Sequence, residues 1–281
     1  MAQGRDEDKG TREEGRGTRE EGRGTNGDGA FDRWLAALEA RHLADLRFPE
    51  VARALRALSS TYVERRSRLG QGAALSGAGK RAAFALFYGP LHFLIVRHIA
   101  AALPIPSDRR TIVDLGCGTG AAGVACASVC QSIDQVVGVD TNPWALTEAA
   151  STYREFGYKN RTEKGDLAST RRLDAPRAPK HSAPAIFLAA FALNELSDAA
   201  RDSVLGRLIA RAETGDAALI VEPLAGFVAP WWPRWAREFE HAGGRADEWR
   251  VRADLPAVVA KLDRAAGLDH RELTGRSLFI A

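Results

Sequence analysis

The chain has 281 residues, 45% of them hydrophobic, enough for one sizeable α/β domain and a smaller appendage. No apolar run approaches the roughly 20 residues that span a bilayer, and the polar, glycine-rich start has no apolar signal segment, so neither a membrane nor a secreted protein is expected. The formal charge of +3 is uneven: residues 1–30 hold six Lys/Arg and eight Asp/Glu, leaving a mildly basic remainder compatible with nucleic acid and with many ordinary enzymes.

Residues 1–30 are low in complexity, with Gly-Thr-Arg-Glu-Glu-Gly-Arg at 10–16 repeated at 17–23. No position of this heptad is apolar, so a coiled-coil seam would have nothing to bury and a disordered tail is expected. A helical cap is expected over 31–104. Phe31, Trp34, Leu35 and Leu38 fall at i, i+3, i+4 spacing, and Pro49 opens a second helix through Val51, Leu55, Leu58, Tyr62 and Val63. Gly70, Gly72, Gly77 and Gly79 interrupt the pattern, and Gly89-Pro90 is expected to split the helical stretch that follows. The last helix, Leu91 to Leu103, is apolar nearly all round, as a helix held between two layers would be. Arg65, Arg66, Arg68, Lys80 and Arg81 read as a basic patch or, more simply, as a solvated face.

Pro104 and Pro106 mark the start of an α/β domain over 105–281, where strands and helices alternate as in a parallel sheet. Its strands end in Asp114, Asp140, Asp166, Asn194 and Glu222, at intervals of 26 or 28 residues. Parallel strands bring such ends to one edge, where open α/β sheets bind ligands. Cys117, Cys126 and Cys130 are an odd count that argues against a disulfide framework and for the reducing cytoplasm. Cys126 and Cys130 lack the further partners that would complete a metal site, so they read as core and no metal is expected.

The first strand, Ile112, Val113 and Leu115, runs into Gly116, Gly118 and Gly120 and then an alanine-rich helix. Gly118-x-Gly120-x-x-Gly123, with Asp140 further on, satisfies a dinucleotide fingerprint. Asp114 argues against that ligand, because its carboxylate would face a pyrophosphate. S-adenosylmethionine has no phosphate there; its ammonium and sulfonium favour nearby acid, and its carboxylate suits backbone N–H groups. Asp140 then serves the ribose, and Asp166 beside Leu167 serves the adenine.

Val113-Asp-Leu-Gly-Cys-Gly-Thr-Gly120, Val139-Asp140 and Gly165-Asp166-Leu167 resemble the successive motifs of class I S-adenosylmethionine-dependent methyltransferases. The resemblance implies a Rossmann-like, seven-stranded sheet whose last strand is antiparallel, with Ser277 to Ala281 as the closing strand. Cofactor contacts are accordingly expected at Asp114, Gly116, Cys117, Gly118, Gly120, Asp140, Thr141, Asp166, Leu167 and Phe191. A narrower resemblance rests on Ala54 to Tyr62, Phe191 to Leu196 and Val221 to Phe227, which look like the ribosomal small-subunit methyltransferase-like family. It implies a link to ribosomal RNA or the small subunit. That family's cysteine-rich, metal-binding stretch has no counterpart here, since residues 223–281 contain no cysteine.

Asn194 and Glu195 are the candidate catalytic residues: Glu195 could act as a base and Asn194 could orient a nucleophile. The competing reading is that they cap a helix beginning near Leu196. Trp231, Trp235 and Phe239 recur every four residues as a buried helical stripe, which leaves Trp232 as the candidate for an exposed RNA contact. Arg171, Arg172, Arg177 and Lys180 lie in a loop that could track phosphate or simply be a surface connection. Trp144 either edges the adenine or packs beneath the second helix of the domain.

Overall fold

The computed structural model describes residues 25–64, 75–174, 184–224 and 229–281. The heptad repeats, Arg65, Arg66, Arg68, Arg177 and Lys180 lie outside the described residues. The chain opens with α1 (Thr25–His42), α2 (Phe48–Glu64), α3 (Ala78–Ala83) and α4 (Gly89–Ala102). The α/β part follows as β1 (Thr111–Leu115), α5 (Ala121–Val129), β2 (Gln135–Asp140), α6 (Pro143–Glu155), β3 (Lys159–Lys164), α7 (Arg171–Asp174) and β4 (Ala185–Ala190). It closes with α8 (Asp198–Glu213), β5 (Ala217–Glu222), α9 (Trp232–His241), β6 (Arg245–Arg252), α10 (Ala257–Ala266) and β7 (Glu272–Ile280).

The seven strands form one sheet in the order β3-β2-β1-β4-β5-β7-β6. The first five are parallel, β7 runs antiparallel to β5, and β6 pairs antiparallel with β7. The central strands are buried on both faces and read as continuous apolar runs, such as AIFLAA in β4 and AALIVE in β5. The edge strands are polar. KNRTEK in β3 and RADEWRVR in β6 have no continuous apolar face, which is why the sequence marks β3 weakly and β6 not at all.

Residues alternate between the two faces of each strand. Val113, Leu115, Phe187 and Ile220 face α8 and α9, whose Trp235 and Phe239 complete one core. Ile112, Val136, Ile186 and Leu219 face the other core, which α1 to α6 and α10 share. The N-terminal helices therefore pack as an outer layer on the same core as the sheet. Polar links to α6 hold that layer: Trp34 Nε1 donates to Thr152 Oγ1 at 3.1 Å, Arg41 donates to Ser151 Oγ at 3.0 Å, and Arg41 and His42 meet Glu148 at 2.9 and 3.2 Å. Burial raises the Glu148 carboxyl, but His42 and Arg41 hold it below its ordinary value overall.

Gly89-Pro90 does not split the helix. Phe84–Tyr88 forms a π-helical turn, with Gly89 N–H reaching the Phe84 carbonyl, and Pro90 sits in the first turn of α4, where its missing N–H does little harm. Ala78–Ala102 is therefore one helical run with the length and apolarity of a bilayer span, yet most of it is buried inside the protein. This is the inner helix of the outer layer.

Candidate active site

The chain leaves β1 through Gly116, Gly118 and Gly120, whose φ angles of 69°, 50° and 78° lie in the left-handed region open to glycine. The N–H groups of Gly116 and Cys117 both donate to the Val139 carbonyl, at 2.8 and 3.0 Å, so the turn hangs from the end of β2. Gly118 N–H donates to Asp140 Oδ2 at 2.9 Å, and Asn142 N–H donates to Asp140 Oδ1 at 2.8 Å. One half-buried carboxylate thus fixes both the glycine turn and the start of α6.

Tyr153 of α6 lies beneath the turn. A Cβ on Gly120 would sit 2.7 Å from its Cε1 atom. Its hydroxyl donates to Asp114 Oδ2 at 3.1 Å, and Gly123 N–H donates to the same oxygen at 3.1 Å. Asp114 is fully buried, and its Oδ1 has no hydrogen-bond partner among the described residues. Burial pushes its carboxyl up to about 7; Tyr153 and Gly123 oppose the rise, and the Asp140 charge adds to it. A buried acid with an unpartnered oxygen under a glycine turn suits a cationic ligand better than a phosphate. The donor set therefore fits S-adenosylmethionine: Asp114 and Asp140 would hold its charged and ribose parts, and the first N–H groups of α5 its carboxylate.

The other expected contacts divide. Cys117 points under the turn, and burial, with the Asp114 and Asp140 charges, raises its thiol well above the ordinary value. Leu167 is buried, whereas Thr141 and Asp166 are exposed along the rim; Asp166 Oδ1 accepts from Ala168 N–H at 2.8 Å. Trp144 faces the outer layer, with Arg81 5.7 Å above its ring and His42 edge-on at 6.4 Å.

The fourth and fifth strand ends form a second wall. Leu193–Glu195 is a single 3-10 turn, and α8 beyond it is capped by Ser197, whose Oγ accepts from Ala200 N–H at 3.4 Å, not by Asn194 or Glu195. Buried Glu222 accepts from Leu193 N–H at 2.9 Å and from the Asn194 amide. Asn194 Oδ1 in turn accepts from Trp231 Nε1 at 3.0 Å. Arg201 binds the Leu193 and Leu196 carbonyls at 3.0 and 2.7 Å. Asn194 is thus a fixed strut in a polar network, while Glu195 is exposed. Trp232 is buried, with Arg276 4.4 Å over its ring, so it makes no exposed contact; the start of α9 turns it inward and leaves Trp231 half-buried at the edge.

Above the turn lies an aromatic roof absent from the sequence expectations. The Phe84 ring is the nearest group to a Cβ built on Gly118, at 3.7 Å. Phe191 is the one described non-glycine residue with positive φ, at 59°. It stacks on His92 of α4 with centroids 4.1 Å apart and planes 17° from parallel. The strained conformation coincides with the contact that joins roof to sheet edge.

Residues 112–215 match the family model for the methyltransferase domain. No curated protein sequence matches the chain. Among solved structures, the chain is similar to the mitomycin 7-O-methyltransferase MmcR, at 15% identity over 88% of this chain and 71% of that one, with a TM-score of 0.49. An O-methyltransferase family protein from Burkholderia thailandensis is similar at 14% identity over 89% and 71%, with a TM-score of 0.49. A chain of the complex between the Haloferax volcanii Trm112 methyltransferase activator and a putative methyltransferase is similar at 16% identity over 74% and 96%, with a TM-score of 0.45.

The sheet order, the glycine turn and the domain match define a class I, Rossmann-like methyltransferase domain. The protein is an S-adenosylmethionine-dependent methyltransferase, and S-adenosylmethionine is its cofactor.

Proposed function

We propose that the protein methylates RNA in the context of the small ribosomal subunit, in the cytoplasm. The observation that carries this reading is the junction of two of the segments that resemble the ribosomal small-subunit methyltransferase-like family. Phe191 to Leu196 and Val221-Glu222 meet at the sheet edge through the Glu222 bonds to Leu193 and Asn194. The mildly basic charge outside residues 1–30 is compatible with a phosphate-bearing partner. A second reading, a small planar acceptor, is favoured by the half-buried aromatic roof of Phe84, Tyr88 and His92.

S-adenosylmethionine supplies an electrophilic methyl group. The chain's part is to align an acceptor with that methyl and exclude water. The glycine turn and Asp140 fix the cofactor side, Glu222 and Arg201 make the acceptor side rigid, and the roof keeps the meeting point apolar.

Transfer of labelled methyl to total RNA, small ribosomal subunits, protein extract and metabolites tests the acceptor. Label in RNA, enriched in small subunits, is the expected result. Label confined to metabolites would replace the RNA reading with the second one. As a cofactor control, Asp140→Ala should weaken S-adenosylmethionine binding by about tenfold or more in calorimetry, on the order of 1.4 kcal/mol.

A further inference from the structure

From Ala82 to Phe93 the roof helix is buried at every position except Phe84, Tyr88 and His92, which stand four residues apart and are half-buried. This stripe faces the glycine turn at Phe84 and the end of β4 at His92. Phe84 lies edge-on to His92 at 6.2 Å, and Tyr88 is tilted against it at 6.2 Å. The His92 ring makes no hydrogen bond to any described residue, so its nitrogens are uncommitted.

We propose that His92 is the proton acceptor in methyl transfer and that the acceptor is a hydroxyl or amine carried on a planar ring. The inference rests on methyl transfer from S-adenosylmethionine, and it does not require the acceptor to be RNA. Four other polar side chains at this edge are held by the fold. Both Asp140 oxygens take backbone N–H groups, both Glu222 oxygens hold the Leu193–Asn194 turn, and the Tyr88 hydroxyl is paired with Ser59 Oγ at 3.0 Å. Asn194 has no basic atom. His92 alone among these combines a basic nitrogen, an aromatic enclosure and no hydrogen-bond partner among the described residues.

The charge change also suits it. His92 takes the proton that the acceptor loses, as the acceptor's lone pair forms the bond to the methyl carbon and the carbon–sulfur pair leaves with sulfur. One positive charge on sulfur is replaced by one on imidazolium, so the pocket never holds a net added charge. Burial pushes the imidazole down to about 4, so the ring is neutral and able to accept a proton at pH 7. The aromatic neighbours favour a planar acceptor because ring faces and edges pack on one another.

The test uses the full chain and three variants. His92→Phe keeps an aromatic ring for the stack on Phe191 and removes both nitrogens; it should bind S-adenosylmethionine within about twofold of wild type, yet transfer methyl on the order of 100-fold more slowly. His92→Ala should be equally slow and recover when imidazole is added. His92→Gln covers the case in which the other two fail to fold and should also be slow. Nitrogen shifts of histidine-labelled protein, assigned by the signal missing from His92→Phe, should show a neutral ring at pH 7. An imidazolium there, or a His92→Phe variant as fast as wild type, overturns this inference alone. A wild type that binds S-adenosylmethionine but labels none of the four pools overturns it together with the proposed function.

Discussion

The floor and the roof of the site are built in opposite ways. The floor comes from one stretch of chain: Asp114 to Tyr153 spans β1, the glycine turn, α5, β2 and α6, and the turn is held by N–H bonds to the Val139 carbonyl and the Asp140 carboxylate on the neighbouring strand. The roof is remote: Phe84, Tyr88 and His92 reach the edge only because α4 packs on α5 and Phe191 rises to meet His92. The floor tolerates almost no added atom, whereas the roof is an apolar surface joined to it by side-chain stacking. Substitutions in the floor should therefore disable the cofactor, and those in the outer layer should cost stability first.

The largest effect is expected at the floor. Gly120→Ala places a Cβ 2.7 Å from Tyr153 and 3.0 Å from the Ala149 Cα, at a φ of 78°. The left-handed backbone and the overpacking together should destabilise by about 2–5 kcal/mol, and S-adenosylmethionine binding should be lost in calorimetry. Near-normal binding would mean that the turn adapts and that floor and roof differ less than described.

A smaller effect is expected in the outer layer. Trp34→Phe removes the bond to the buried Thr152 hydroxyl and should cost about 1–3 kcal/mol in denaturant unfolding. Cofactor affinity should stay within about twofold. A large loss of affinity would show that the outer layer shapes the floor directly.

The smallest effect concerns Asp114. Its folded carboxyl, raised to about 7 from 3.8, stays protonated while the unfolded chain already ionises. The folded state therefore binds the extra proton between those values, and stability falls as pH rises through that window, then levels above it. Between pH 6 and 7.5 the wild type should lose on the order of 1 kcal/mol relative to Asp114→Asn, whose side chain does not titrate. Parallel pH profiles for the two proteins would place the raised carboxyl elsewhere.

The floor was largely legible in the sequence because its signals are local. Acid at a strand end, glycines at fixed offsets and a helix following at once are consequences of neighbours along the chain. The even spacing of Asp114, Asp140, Asp166, Asn194 and Glu222 likewise follows from repeating strand-helix units. Where polarity hid the pattern, as in β6, the strand is invisible without β7 beside it. Trp232 turns inward for a related reason: a four-residue period gives a helix face, but where the helix begins decides which neighbour faces the core.

By itself, then, the sequence determined the methyltransferase sheet, its parallel core and the glycine turn that follows the first strand. Only the tertiary structure decided that Asp114 lies beneath the turn with one oxygen unpartnered, and that Asn194 is tied between Glu222 and Trp231. It alone brought His92 against Phe191, 99 positions further along the chain. The reason is physical: hydrogen-bonded turns and helix periods are set by nearby residues, whereas which faces meet across a core depends on the burial of all of them at once.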